Sequence, residues 1–227
     1  MGKTVLVVDD EKNIVEILCF NLSKEGYDTV TAFDGKAALE MAAALNPDLI
    51  LLDVMLPIMD GFRVCSEIRK TNQTTPIIML TAREEETNKI FGLELGADDY
   101  ITKPFSMREV MARVKANIRR ANTNTASIDH ANTSGIVIDF DRYEVYKDGK
   151  NIELTQREFD LLKYLCAMPG KVFSRGELLR EVWQYDYLGD LRAVDVAVRR
   201  LREKIEDDSA NPTHILTKRG IGYFFEG

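Results

Sequence analysis

Apolar residues along the first 120 positions alternate between two periods. Thr4–Val8 and Leu49–Leu52 are continuous apolar runs of strand length, and Asp28–Ala32, Ile77–Leu80 and Asp99–Thr102 are short segments of similar type. Between them lie stretches with helical spacing. Lys12–Glu25 places Ile14, Ile17, Leu18 and Leu22 on one side, and Gly35–Leu45 is Ala-rich and ends before Pro47. Gly61–Arg69, Glu84–Leu95 and Ser106–Arg120 follow, the last with Ser106 and Glu109 spaced as a capping box. Five strand-then-helix units predict an α/β domain: a doubly wound, five-stranded parallel sheet covered on both faces.

Residues 121–134, ANTNTASIDHANTS, are small, polar and aperiodic, which predicts a flexible linker. The pattern then changes to turn-rich, strand-like segments at Ile136–Phe140, Glu144–Tyr146 and Ile152–Leu154. Capping boxes at Thr155/Glu158 and Ser174/Glu177 open two helices, a third runs from about Leu191 to Glu206, and a hairpin closes the chain. The expected organisation is a domain over 1–120, a linker over 121–134 and an α+β domain over 135–227. No internal repeat is visible.

Composition narrows the class without naming it. An apolar fraction of 45% and a charged fraction of 30% are those of a soluble globular protein. No apolar run approaches the roughly 20 residues needed to cross a bilayer, and the N-terminus lacks signal-peptide character, so a cytoplasmic location is expected. Cys19, Cys65 and Cys166 are odd in number and far apart, which favours packed thiols over a metal or disulfide framework. The net charge is −7, with 15 basic and 19 acidic residues over 1–120 and 15 and 17 over 135–227. Any contact with nucleic acid must therefore come from local clustering.

In a doubly wound sheet, ligands bind beyond the carboxyl ends of the strands. Asp9, Asp10 and Glu11 follow the first strand here, Asp53 the third, Thr81 the fourth and Lys103 the fifth. Singly, each has an ordinary explanation as a cap, a loop residue or a solvated charge. Together they assemble carboxylates, a hydroxyl and an ammonium on one edge. Clustered carboxylates need a cation to stay ionised, and oxygen donors without His or Cys suit Mg²⁺. A carboxylate beside such an ion can attack a phosphoryl donor while Lys103 and Thr81 hold the developing charge.

Val7-Val8-Asp9-Asp10-Glu11, Leu52-Asp53-Val54-Met55-Leu56-Pro57, Leu80-Thr81-Ala82 and Asp98-Asp99-Tyr100-Ile101-Thr102-Lys103-Pro104-Phe105 resemble the signature of receiver domains of two-component response regulators, which are flavodoxin-like. The resemblance implies that Asp53 accepts a phosphoryl group from a sensor histidine kinase. It implies that Asp10, Asp53 and the Met55 carbonyl ligate Mg²⁺, with Asp9 acting through water. It also implies a switch pair, Thr81 and Tyr100, a phosphoryl-holding Lys103, and a cis bond before Pro104. A phosphorylated homodimer is implied, held by the cross-dimer pairs Lys89–Glu109, Glu94–Lys115, Asp99–Arg113 and Asp98–Arg120.

On the helix near Leu191–Glu206, a 100° step puts Val194, Val198, Leu201 and Ile205 on one face. Arg192, Val196, Arg199 and Arg200 fall opposite, with Arg202 and Lys204 flanking. Such a charge run is ordinarily a solvated face, but Arg suits phosphates and guanine edges. The following hairpin has a basic tip at Lys218-Arg219-Gly220. Leu154-Thr155, Glu158-Phe159, Leu161-Leu162, Arg192–Val196 and Arg219–Tyr223 resemble the winged-helix output domain of OmpR/PhoB-type regulators. The ending and Tyr185–Asp190 look most like WalR/VicR-type members. This resemblance implies binding to double-stranded, direct-repeat DNA through Arg192, Val196, Arg199, Arg200, Arg202 and Arg219, and contact with RNA polymerase.

Two other classes compete. An Asp-nucleophile phosphohydrolase of the haloacid-dehalogenase type needs Asp-x-Asp on its first strand, where this chain has adjacent aspartates. A receiver serving only as a protein-interaction module is disfavoured by the Arg-rich helix and hairpin.

Overall fold

The computed structural model describes residues 2–82, 95–120, 131–133, 135–139, 143–183 and 191–226. The chain divides into two compact units, Met1–Asn122 and Thr123–Gly227. The expected helix Glu84–Leu95 lies almost wholly outside the described residues.

The first unit is built from β1 (Thr4–Val8), α1 (Lys12–Lys24), β2 (Asp28–Ala32), α2 (Gly35–Leu45), β3 (Leu49–Asp53), α3 (Gly61–Arg69), β4 (Ile77–Ala82), β5 (Asp99–Lys103) and α4 (Met107–Arg120). The strands form one parallel sheet in the order β2-β1-β3-β4-β5, as the apolar pattern predicts. Alternate residues of each strand point to opposite faces. Leu6, Val8, Ile50, Leu52 and Met79 pack with Ala38, Val64 and Ile68 on one side. Val5, Val7, Leu49, Leu51, Ile78 and Leu80 pack with Leu18, Leu22, Val110 and Val114 on the other. Full burial of each such side chain is worth about 1.5–3 kcal/mol, so the two layers fix the register.

That register aligns the strand ends. Val8 is paired with Leu52, Asp53 with Leu80, Thr81 with Thr102 and Ala82 with Lys103. Strands β3, β4 and β5 run one or two residues beyond the apolar runs that announce them, because backbone pairing continues into Asp53, Thr81-Ala82 and Lys103. Gly61 lies against β3: a Cβ there would run into the Asp53 carbonyl. The preceding Asp60 caps α3 through the Arg63 N–H at 2.9 Å.

At the opposite end of β4, Arg69 is buried and almost fully engaged. Its guanidinium donates to the carbonyls of Gly96 (2.8 Å), Asn72 (3.0 Å) and Thr75 (2.8 Å) and to Asp98 (2.7 Å). Asp98 also accepts from the Ile77 N–H at 2.9 Å. This hub ties the end of α3 to the starts of β4 and β5.

The second unit opens with an antiparallel sheet of β6 (Ala131–Thr133), β7 (Ile136–Asp139), β8 (Glu144–Lys147) and β9 (Lys150–Ile152). Strand β6 falls inside the stretch expected to be linker. Its polar residues gave no apolar signal, yet an edge strand needs only backbone pairing, here with β7. Helix α5 (Gln156–Cys166), β10 (Phe173–Ser174), α6 (Arg175–Leu178) and α7 (Arg192–Ile205) follow, then the hairpin β11 (Ile215–Lys218) and β12 (Gly222–Phe225). Both expected capping boxes form in full. Beyond Leu178 the expected α-helix continues as a π-turn over Leu179–Trp183. Gly222 lets β12 close on β10, since a Cβ there would collide with the Phe173 carbonyl. Among the described residues no helix is long and apolar enough to cross a membrane.

Candidate phosphoryl-acceptor site and nucleic-acid interface

The aligned strand ends bring Asp9, Asp10 and Asp53 together, each offering a carboxylate oxygen within 4.8 Å of the others. Asp9 and Asp53 are buried at 0% and 3% exposure, while Asp10 is exposed. Asp9 is fixed by the Glu11 N–H at 2.9 Å. Lys103 enters from β5 and reaches Asp9 at 2.8 Å and Asp53 at 3.1 Å, with Glu11 at 3.8 Å. The Lys103–Pro104 bond is cis, as expected. Three hard oxygen donors in this space fit Mg²⁺, which when bound neutralises carboxylate and phosphoryl charge.

Burial is the largest single influence on the electrostatics of the cluster. Burial pushes the Asp53 carboxyl above the usual carboxylate range; Lys103 opposes this and Asp9 adds to it. Burial alone would lower the Lys103 ammonium, but its hydrogen bond to Asp9 and the charges of Asp53 and Asp9 outweigh that and raise it. A raised Asp53 binds its proton more readily folded than unfolded. Its contribution to stability is therefore present at low pH and lost as pH rises through the folded value. In Mg²⁺-free buffer, the wild-type midpoint minus that of Asp53→Asn is expected to grow more negative from pH 4 to pH 7. Equal midpoint profiles for the two proteins in urea titrations would remove this electrostatic account.

Thr81 and Tyr100 lie on the same face of the sheet, since Thr81 sits two residues beyond Met79, which is paired with Tyr100. Thr81 is buried, and Tyr100 packs partly buried against the core layer that contains Met79. Met55 follows β3 by two residues with its side chain 66% exposed.

Several residues of the set expected at a dimer contact already have partners within the chain. Asp99 is paired within the chain to Arg113 at 3.0 and 3.2 Å, and Arg113 also binds Glu109 at 2.9 Å. Asp98, expected to meet Arg120 across a dimer, is 4% exposed and engaged by Arg69. A partner sequence spacing could not suggest, 29 residues away, therefore claims it. Lys115 is exposed on α4; Lys89 and Glu94 lie outside the described residues.

In the second unit, α7 buries Val194, Val198, Leu201 and Ile205 as its period predicts. Val196, expected on the outer face, is also buried at 7%. Arg200 is not outward either: it pairs at 2.9 Å with Glu158, a residue 1% exposed, and Lys204 reaches the same carboxylate at 2.7 Å. Arg202 donates to the Ile215 carbonyl at 2.6 Å and the Thr217 hydroxyl at 2.8 Å, and lies 5.6 Å from the Tyr223 ring centroid. Three of the five basic groups thus fasten the helix to its own domain. Arg192 and Arg199 remain exposed on α7, as does Arg219 at the hairpin tip.

A further network was not legible in the sequence. Asp195 accepts from both Arg175 and the Tyr223 hydroxyl at 2.6 Å, joining α6, α7 and the hairpin. Burial, then the bond to Asp195, pushes the Tyr223 hydroxyl up to about 12. Glu206 accepts from the backbone N–H groups of Thr213, His214 and Ile215 and clamps the end of α7 to β11. Only the closed fold brings such pairs into contact.

Known proteins place this geometry. Residues 5–115 match the family described as "Response regulator receiver domain", and residues 149–225 match "Transcriptional regulatory protein, C terminal". A mutant form of RitR is similar over the whole of both chains, with 33% identity and a TM-score of 0.79. The response regulator DrrB, a Thermotoga maritima OmpR/PhoB homolog, is 34% identical over the whole of both chains, with a TM-score of 0.53. A structure described as from a novel family of redox sensors in the streptococci, evolved from two-component response regulators, is 32% identical over the same extent, with a TM-score of 0.51. A receiver fold with an acidic, lysine-capped pocket, joined to a winged-helix domain, makes this chain a member of the OmpR/PhoB-type two-component response regulators, which act as regulators and not as enzymes.

Proposed function

We propose that this chain is a cytoplasmic transcription regulator switched by an acyl phosphate on Asp53. The observation that supports it best is the convergence of Asp9, Asp10, Asp53 and Lys103 at the sheet edge, in a chain that also carries a DNA-binding family domain. An Asp53 oxygen bonds to phosphorus as the P–N bond of a kinase phosphohistidine breaks, and the imidazole nitrogen regains a proton. Asp10, Asp53 and the Met55 carbonyl would hold Mg²⁺, with Asp9 acting through water, and the ion would neutralise the phosphoryl charge, while Lys103 and Thr81 take the phosphoryl oxygens and Tyr100 follows Thr81. Next to the pocket, Ile14, Ile17, Pro104, Phe105 and Met107 line an apolar groove with Glu11 and Lys103. Such a groove suits an amphipathic helix of the kinase.

Phosphorylation then promotes a homodimer through the α4 side of the receiver, where Glu109, Arg113 and Lys115 lie. Two output domains bind a direct repeat through Arg192, Arg199 and Arg219, and contact with RNA polymerase converts binding into transcription control. The segments Tyr185–Asp190 and Arg219–Phe224 support a WalR/VicR-type assignment.

Redox sensing, the property of one similar protein, needs an accessible thiolate. Here Cys65 is fully buried and burial pushes the Cys166 thiol up to about 12, while Cys19 is half-buried; the acidic, lysine-capped pocket, not the thiols, is what supports the phosphoryl switch. With Mg²⁺ and acetyl phosphate, affinity for a selected direct repeat is expected to rise about tenfold or more, as two linked modules engage together. Mobility-shift titrations should show the rise for wild type and none for Asp53→Asn. An equal rise in both would refute Asp53 as the switch.

A further inference from the structure

Glu203 is an unexpected group on the outer face of α7. Steps of 100° bring Arg192, Arg199 and Glu203 into one stripe about 40° wide. The side chains of Arg199 and Glu203 are 62% and 48% exposed, and Arg199 Nε lies 3.1 Å from Glu203 Oε1. The other basic groups of the helix's later turns, Arg200, Arg202 and Lys204, are turned onto Glu158, Ile215 and Thr217. The charged outer stripe therefore carries a carboxylate beside its central arginine.

Helix stability does not account for it. A carboxylate in the last turn opposes the helix dipole. An exposed Arg-then-Glu pair is also the weaker orientation at that spacing. On a surface that meets a polyanion, a negative charge costs general affinity. What it can supply is discrimination. A carboxylate only accepts hydrogen bonds, and in the major groove cytosine N4 and adenine N6 present donors, whereas guanine O6 and thymine O4 present acceptors; adenine also sets its N7 acceptor beside N6, which leaves cytosine the better match. Four residues advance about 6 Å along the helix, roughly two base-pair steps at about 3.4 Å each.

Resting on the DNA-binding reading above, we propose that Glu203 is a specificity-determining residue. It holds the Arg199 guanidinium in one orientation by its Nε. It also restricts the base it faces, one or two steps from the Arg199 contact, to one that offers an amino group, foremost cytosine. Its charge keeps binding to random sequence weak, in a unit with no general basic field.

The full-length protein, phosphorylated with acetyl phosphate, is used to select from randomised duplexes, alongside Glu203→Gln, Glu203→Ala and Arg199→Ala. Wild type should select cytosine one or two steps from the position whose preference Arg199→Ala relaxes. Both Glu203 variants should lose that cytosine preference, and the ratio of specific to random affinity should fall about tenfold. Glu203→Ala should bind random duplex more tightly than wild type, which a structural defect would not produce. Glu203 variants that keep the wild-type motif, or that weaken specific and random binding alike, would overturn the proposal while leaving the DNA reading intact. A wild-type protein that selects no motif would overturn both.

Discussion

In Mg²⁺ and acetyl phosphate, wild-type protein is expected to gain one acid-labile phosphoryl group and Asp53→Asn none. The expected loss is complete because the neutral amide is not a nucleophile toward phosphorus, and no neighbouring carboxylate is equivalent. Asp9 already accepts from Lys103 and from the Glu11 N–H, while Asp10 is exposed. Chelating Mg²⁺ should also abolish labelling, since the buried, anionic Asp9 and Asp53 would otherwise repel an incoming phosphoryl group. Intact-mass measurement after short incubations, repeated with chelator, is the check. Full labelling of Asp53→Asn, or labelling indifferent to chelator, would remove Asp53 or the metal from the reaction.

Arg69→Ala is expected to destabilise the receiver by about 3–5 kcal/mol, the usual cost of leaving one partner of a buried ion pair behind. Its loss strands Asp98 and removes donors from three carbonyls around the starts of β4 and β5. Asp98→Asn should destabilise in the same direction but less, because the amide oxygen can still accept from the Ile77 N–H. Hydrogen exchange at β4 and β5 in the full chain reads the effect locally, apart from the output domain. The same pair of variants decides between two roles for Asp98. If Asp98 served only as a surface contact between receivers, Asp98→Asn would exchange like wild type and merely dimerise more weakly. That result would return Asp98 to the interface, and Arg69 would then act through the Gly96, Asn72 and Thr75 carbonyls alone.

Much of this molecule can be read from residue order. The runs Val5–Val8, Leu49–Leu52 and Ile77–Leu80 state a parallel sheet because strands buried on both faces must be continuously apolar, while the edge strands β2 and β5 carry more polar residues. Since strand ends are where ligands collect in such sheets, Asp9, Asp10, Asp53, Thr81 and Lys103 are legible as one site before any coordinates. The two capping boxes are equally local, being written in residues three apart. The linker was only partly legible: Ala131–Thr133 pairs as an edge strand, where no side-chain pattern is needed.

Tertiary structure alone decided how the charges are used. Sequence sees a helix with five basic residues on and beside its outer face and the adjacent Asp98 and Asp99, but charge does not record which partner the fold supplies. The packing of α7 on α5 brings Arg200 and Lys204 to the buried Glu158, and the hairpin offers Arg202 the Ile215 carbonyl. The end of α3 claims Asp98 in the same way. Buried charges must be paired and hydrogen-bonded, so burial sorts the scaffold-bound groups from those left at the surface. Patterns three to four residues long fix elements and caps; contacts across 29 or 46 residues need the closed fold.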